Sequence, residues 1–176
     1  IEVARAEGIY LETNDGRKIM DAISSWWVNL HGHSHPYIAE AIRKQAEKLE
    51  HVIFAGFTHE PAIQLAENLL SILPSNQSKV FYSDNGSTAV EVGLKMAFQY
   101  WFNQGIEKHK VIAFNGAYHG DTFGAMSVGD RGPFSAPFSP YLFDVAFLDC
   151  PTEKNAKQIV NDFEALIARN DVGAFI

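Results

Sequence analysis

Ser83-Asp84-Asn85-Gly86-Ser87-Thr88-Ala89-Val90-Glu91 is the stretch on which the reading of this chain turns. It follows a β-type run, Lys79-Val80-Phe81-Tyr82, and opens an amphipathic helix with Val90, Leu94, Ala97, Phe98 and Trp101 on one face, ending near Gly105. A chain that turns through Gly-Ser-Thr into a helix start presents backbone N–H groups that have no intrahelical partner. The helix dipole adds partial positive charge there, and hydroxyls add donors, so a phosphate group fits. The loop holds no P-loop lysine and the chain no G-x-G-x-x-G. The same nine residues also read as a plain capped helix with Asp84, Ser87 or Thr88 at the N-cap.

Downstream, strands and helices alternate. Lys110–Phe114 is expected as a strand, followed by the loop Asn115-Gly116-Ala117-Tyr118-His119-Gly120-Asp121-Thr122. A Gly/Pro/Phe-rich loop over 129–140 leads to a strand at Asp144–Leu148. A helix with Ala156, Ile159, Val160, Phe163 and Ile167 facing inward precedes a last strand at Val172–Ile176. Such alternation predicts βα units on a mostly parallel sheet, an α/β fold in which ligands sit beyond the carboxyl ends of the strands. The Gly86 turn and the Tyr118 loop therefore fall on one functional edge. Glycines around Tyr118 allow close backbone approach to a ligand, and its ring is suited to stack on a flat heterocycle or to pack on its own loop. Phosphate plus flat ring describes a nucleotide, a flavin or pyridoxal phosphate.

Upstream, Gly8–Thr13 and Arg17–Ala22 flank Asn14-Asp15-Gly16, a hairpin turn, and predict a small antiparallel unit. Adjacent Trp26 and Trp27 are expected to face opposite ways, one buried and one lining a cleft, with core packing alone as the alternative. His31, His33 and His35 alternate on an extended segment, yet no neighbouring cysteine or carboxylate completes a metal set, which favours a structural turn over a metal site. Pro36 starts a helix with Ile38, Ala41, Ile42, Ala46 and Leu49 as its apolar positions. A second helix starts near Pro61, carries Ala62, Leu65, Ala66, Leu69, Leu70 and Leu73 on one face, and stops at Pro74.

The 176 residues are 47% hydrophobic and 12% aromatic with a net charge of −7, which describes a globular chain and argues against a nucleic-acid-binding surface. A single cysteine, Cys150, leaves no internal disulfide and fits a reducing compartment. No apolar run is long enough to span a bilayer, so no membrane partner and a cytoplasmic location are expected. Both ends read as cut, since the chain opens in a strand-like region and closes on a β-type run. A piece of a longer protein is expected.

Three runs in order carry a resemblance: Asp21-Ala22-Ile23-Ser24-Ser25-Trp26-Trp27 with His31-Gly32-His33-Ser34-His35-Pro36, then Phe81–Glu91, then Gly116–Thr122. Together they resemble the class III pyridoxal-phosphate aminotransferases across almost the whole chain. The resemblance implies a fold-type-I transferase: residues 1–50 as an antiparallel small-domain segment with the first helix, and 51–176 as the first part of the cofactor-binding large domain. It implies pyridoxal 5′-phosphate held by Gly86 and Ser87 at its phosphate, Tyr118 against its ring, and Trp26 with Tyr118 toward substrate. It implies a homodimer acting on small molecules, and no metal.

The Ser-Ser-Trp-Trp form, with Thr58–Ile63 and Lys95–Trp101, is most similar to the branch that transfers an amino group from S-adenosylmethionine to 7-keto-8-aminopelargonate in biotin biosynthesis. An ω-amino-acid or diamine aminotransferase is the alternative within the family, and a nucleotide-binding module the alternative outside it. The Schiff-base lysine of the family is expected downstream of residue 176, together with the groups that bind the ring nitrogen and the substrate carboxylate. No catalytic residue is therefore expected within this chain, and the chain alone is expected to be inactive. None of its nine lysines follows a strand beside the Tyr118 loop.

Overall fold

The computed structural model describes residues 1–176. Packing divides the chain into two compact units, Ile1–Lys79 and Val80–Ile176.

The first unit opens with an antiparallel sheet of β1 (Val3–Glu7), β2 (Tyr10–Thr13) and β3 (Lys18–Met20), in that order. The β2–β3 hairpin turns at the expected place. Gly16 takes φ +84° and donates to the Thr13 carbonyl at 2.9 Å, a backbone sign that side chains avoid. The chain then makes one turn, α1 (Ser24–Trp27), that is wound left-handed. Its four residues have φ of 50°, 46°, 66° and 69°, and Trp27 and Val28 donate to the carbonyls four residues back at 3.0 Å each. Gly8 and His33 bridge β1 to the segment after this turn, their N–H and carbonyl groups pairing at 3.1 and 2.7 Å. Helix α2 (Pro36–Lys48) has proline in its first turn, and α3 (Glu60–Ile72) is capped by His59, whose Nδ1 accepts from the Ala62 N–H. The apolar faces of both helices form as expected, but these residues leave them largely uncovered, with Ala62 alone fully buried.

The second unit begins with a difference from expectation. Lys79–Tyr82 joins no ladder, so it is an extended lead-in to α4 (Gly86–Asn103) and not a strand. Extended backbone becomes a strand only when a neighbour takes its N–H and carbonyl groups, and sequence pattern cannot supply the neighbour. The sheet is parallel, in the order β5-β4-β6, with β4 (Lys110–Phe114) central between β5 (Val145–Leu148) and β6 (Val172–Phe175). Val111, Ile112 and Ala113 are wholly buried, as a strand covered on both faces requires. Leu94 of α4, Val111, Ala113, Val128 and Val145 form the core, with Val90, Phe98 and Phe147 packed on it. Truncating a side chain such as Ile112 there costs about 2–5 kcal/mol.

Helix α5 (Phe123–Val128) occupies the stretch between the two expected loops, and a 3-10 turn at Ala136–Tyr141 lies largely within the second of them. Helix α6 (Ala156–Ile167) has the expected bounds. Its inward face is only half covered, with Val160 and Ile167 exposed. No helix is long and apolar enough to cross a membrane.

Candidate cofactor site

The cup at the start of α4 is built by Asn85, and not by Asp84, Ser87 or Thr88. Asn85 Oδ1 accepts the Thr88 N–H at 3.0 Å, and Thr88 Oγ1 accepts the Asn85 N–H at 3.2 Å, a reciprocal capping box. Ser83 Oγ donates to the same Thr88 hydroxyl at 2.6 Å, fixing the lead-in. The Ala89 N–H is taken by the Asn85 carbonyl. The first-turn donors left without an acceptor are therefore the N–H groups of Gly86 and Ser87. A cap and an anion site are not alternatives here. The side-chain cap serves the third residue of the helix and leaves the first two donors pointing outward, where the dipole favours an anion.

The Tyr118 loop lies against this cup. Gly120 has φ +123°, and a Cβ built on it would stand 2.0 Å from Ser87 Oγ and 2.9 Å from Ser87 Cα. The expected shared edge is thus a direct contact: the loop backbone rests on the serine that opens α4. Asp130 holds the loop from its other side, its Oδ1 accepting the Gly116 N–H at 3.3 Å and its N–H donating to the Ala117 carbonyl at 2.8 Å. The loop and the Gly129–Ser135 segment line an open cavity of about 450 Å³. Tyr118 is 71% exposed, and it is tied to its own loop at the hydroxyl, which donates to Asp121 Oδ2 at 2.8 Å. That bond holds the phenol above its ordinary pKa, so the proton stays on oxygen.

In the first unit, Trp26 and Trp27 are 70% and 68% exposed, their ring centroids 5.7 Å apart. The expectation that one is buried fails because a left-handed turn does not alternate faces as an extended strand does. Asp21 organises the turn. Its Oδ2 accepts from Ser25 Oγ at 2.7 Å and meets His33 Nε2 at 2.7 Å, with both side chains largely buried. Bonds from the Ser25 N–H and hydroxyl, and then from His33, hold the Asp21 carboxyl far below the usual range. His33 thus has a carboxylate partner, while His31 and His35 meet edge to face at 6.2 Å. No group of three or more His, Cys, Asp or Glu is placed to hold a metal.

Sequence reasoning missed Asn85, Asp121, Asp21 and Glu91. The spacing Asn85-x-x-Thr88 is a legible cap signal, and Asp121 lies close enough to Tyr118 in sequence to suspect a bond. Asp21 joins nearby Ser25 to His33 beyond the turn, and Glu91 joins Thr122 and Gly124 of a later segment, pairings that spacing alone does not announce.

The class-III aminotransferase family model matches residues 1–176. Over 184 aligned residues the chain is 53% identical to the adenosylmethionine-8-amino-7-oxononanoate aminotransferase of Synechococcus elongatus, covering all of this chain and 43% of that protein. The Staphylococcus aureus protein of the same name is 40% identical, with 100% and 42% covered. Among solved structures, the enzyme of that name from Methanocaldococcus jannaschii superimposes with a TM-score of 0.90 at 40% identity, covering 99% of this chain and 40% of that one. An omega-aminotransferase from Paracoccus denitrificans also gives 0.90, at 26% identity, with 99% and 42% covered. The chain therefore spans well under half the length of these relatives. The expected α/β transaminase fold holds, and the reading as a nucleotide-binding module of another class is set aside. A family model matched from end to end, on a fold shared at that TM-score, means that this chain belongs to the class-III aminotransferases.

Proposed function

We propose that this chain forms the phosphate-and-ring half of a pyridoxal 5′-phosphate site in a cytoplasmic, homodimeric aminotransferase. The full-length enzyme moves an amino group from S-adenosylmethionine to 7-keto-8-aminopelargonate in biotin biosynthesis. The single observation that carries the site is the contact of Ser87 with Gly120. It sets the backbone of the loop that carries Tyr118 against the serine that carries one of the two free N–H donors, within one compact unit. The relatives' names support the substrates.

The residues present fit the cofactor. The N–H groups of Gly86 and Ser87, with the Ser87 hydroxyl, would hold the phosphate. Tyr118 would take the ring, its hydroxyl turned by Asp121. Trp26 in the first unit and Tyr118 in the second are each assigned to substrate. When bound, the cofactor supplies an electron sink for the carbon beside the transferred nitrogen. This chain's own residues would bind and orient. Residues 1–50 are assigned to the small domain and 51–176 to the start of the large one.

Two measurements on the full-length protein test this. Ser87→Ala is expected to weaken cofactor retention by about 1–3 kcal/mol, the cost of removing a partner from a charged hydrogen bond. Equilibrium titration with pyridoxal phosphate reads it, and unchanged affinity would return Gly86–Thr88 to a simple cap. Tyr118→Ala is expected to shift the visible cofactor band without substrate, whereas Trp26→Ala leaves that band and raises KM. Reversal of the two phenotypes would overturn both assignments. The similarity to an omega-aminotransferase favours a second reading, with another amino acceptor. Turnover with 7-keto-8-aminopelargonate separates the two.

A further inference from the structure

We propose that Glu91 is a positioning residue for the cofactor site, fastening the loop that carries Tyr118 to the helix that carries the Gly86 and Ser87 donors. The proposal rests on the functional reading above. Glu91 Oε1 accepts from Thr122 Oγ1 at 2.6 Å and from the Gly124 N–H at 2.7 Å. Thr122 is the N-cap of α5, yet its hydroxyl makes no cap bond to its own helix. It donates to Glu91, and Glu91 in turn takes the orphan donor that an N-cap side chain would ordinarily satisfy. A carboxylate from α4 thus caps α5 across the space between them, with its negative charge at the favourable end of that helix.

The sequence makes room for this bond. A Cβ at position 124 would stand 2.3 Å from Glu91 Oε2, so the carboxylate reaches the backbone only because Gly124 has no side chain. Gly124 and Ala125 are buried, which keeps water from competing for the bond. The Tyr118 loop is therefore pinned to α4 twice, by Gly120 on Ser87 and by Thr122 and Gly124 on Glu91. Tyr118 and Asp121 sit on the span between these pins or directly beside it. With the second pin removed, the loop pivots on the first, and Tyr118 shifts relative to the cup while both N–H donors stay on α4.

The test uses the full-length protein with pyridoxal phosphate as probe. Glu91→Leu is expected to raise the dissociation constant by about tenfold or more, the consequence of unpairing part-buried charged hydrogen bonds. The induced visible circular dichroism of the bound cofactor should change with it. Glu91→Gln, which keeps the Oε1 acceptor, is expected to stay near wild type, and Thr122→Val, which removes one donor without touching the helix, to fall between. A merely structural role predicts another result: Glu91→Leu lowers the unfolding temperature while cofactor affinity and dichroism match wild type. That result overturns the proposal, as does a glutamine variant as weak as leucine. Should the leucine variant fail to fold, Thr122→Val decides, and wild-type affinity and dichroism there overturn the proposal. A wild-type protein that takes up no cofactor overturns the functional reading itself and the proposal with it.

Discussion

Gly120→Ala in the full-length protein is expected to cost more cofactor affinity than any other single methyl group added to this site. The added carbon would lie 2.0 Å from Ser87 Oγ, 2.6 Å from Ser87 Cβ and 2.9 Å from Ser87 Cα. Turning the serine hydroxyl away relieves the first contact but not the other two, so either the loop or the first turn of α4 must move. The φ of +123° adds strain of about 1–3 kcal/mol for any residue with a Cβ. Relief by movement separates the donors of Gly86 and Ser87 from the Tyr118 ring, and a rise of about tenfold or more in the dissociation constant for pyridoxal phosphate follows. Gly116 provides the control. It has φ +74° with nothing within 4 Å of its would-be Cβ, so Gly116→Ala carries backbone strain without the collision. Equal affinities for the two variants in a cofactor titration would show that the Ser87 contact is not what sets the site.

Asp21→Ala is expected to damage substrate handling and spare the cofactor. A left-handed turn of ordinary L-residues costs roughly 1–2 kcal/mol per residue, and Ser24–Trp27 carries four in succession. Such a turn persists only where its surroundings over-determine it. Asp21 does so by gathering Ser25 Oγ, His33 Nε2 and, at 3.4 Å, the Ile23 N–H, while its own N–H is tied to the Ile9 carbonyl of the flanking sheet at 2.8 Å. Without the carboxylate the turn relaxes toward right-handed backbone and the two indole rings leave their present positions. KM for substrate should rise on the order of tenfold, with the resting visible band unchanged. A loss of the cofactor band with KM preserved would refute the role. The pH dependence has a definite sign. A carboxyl held below its ordinary pKa contributes stability that is complete above the ordinary value and lost only as pH falls through the depressed one. Asp21 therefore adds no pH dependence of its own from weakly acidic to basic pH.

These two residues also mark where the sequence could be read and where it could not. The Asn14-Asp15-Gly16 hairpin, strand Lys110–Phe114 and helix Ala156–Ile167 were legible because turn chemistry and period are local properties. The meeting of the Gly86 turn with the Tyr118 loop was expected from parallel βα units, yet only the Tyr118 loop follows a strand of the sheet, and the contact itself is made by Gly120 on Ser87. The hand of the Ser24–Trp27 turn was not legible, since the propensities of serine and tryptophan contain no preference for positive φ. What holds it is Asp21, which gathers Ser25 from within the turn and His33 from beyond it. Lys79–Tyr82 misled for a related reason: its composition states that it is extended and says nothing of a partner. Glu91 reads locally as one more polar helix residue, and its function becomes visible only when Thr122 and Gly124 stand opposite.

The strand order β5-β4-β6 fixes the order in which this unit can be completed during synthesis. β4 holds the most deeply buried residues of the sheet, yet the neighbours on its two edges are both made after it, and β6 follows only once β5 and α6 have emerged. A nascent chain therefore carries an apolar strand with an open edge, the kind of edge that pairs with other chains, until Val172–Phe175 arrives. Closure is then secured at once by a distant anchor, since Trp101 Nε1 of α4 donates to the Gly173 carbonyl at 2.7 Å. Pairing of β4 with β6 is non-local in sequence, so it forms later than the local contacts within α4.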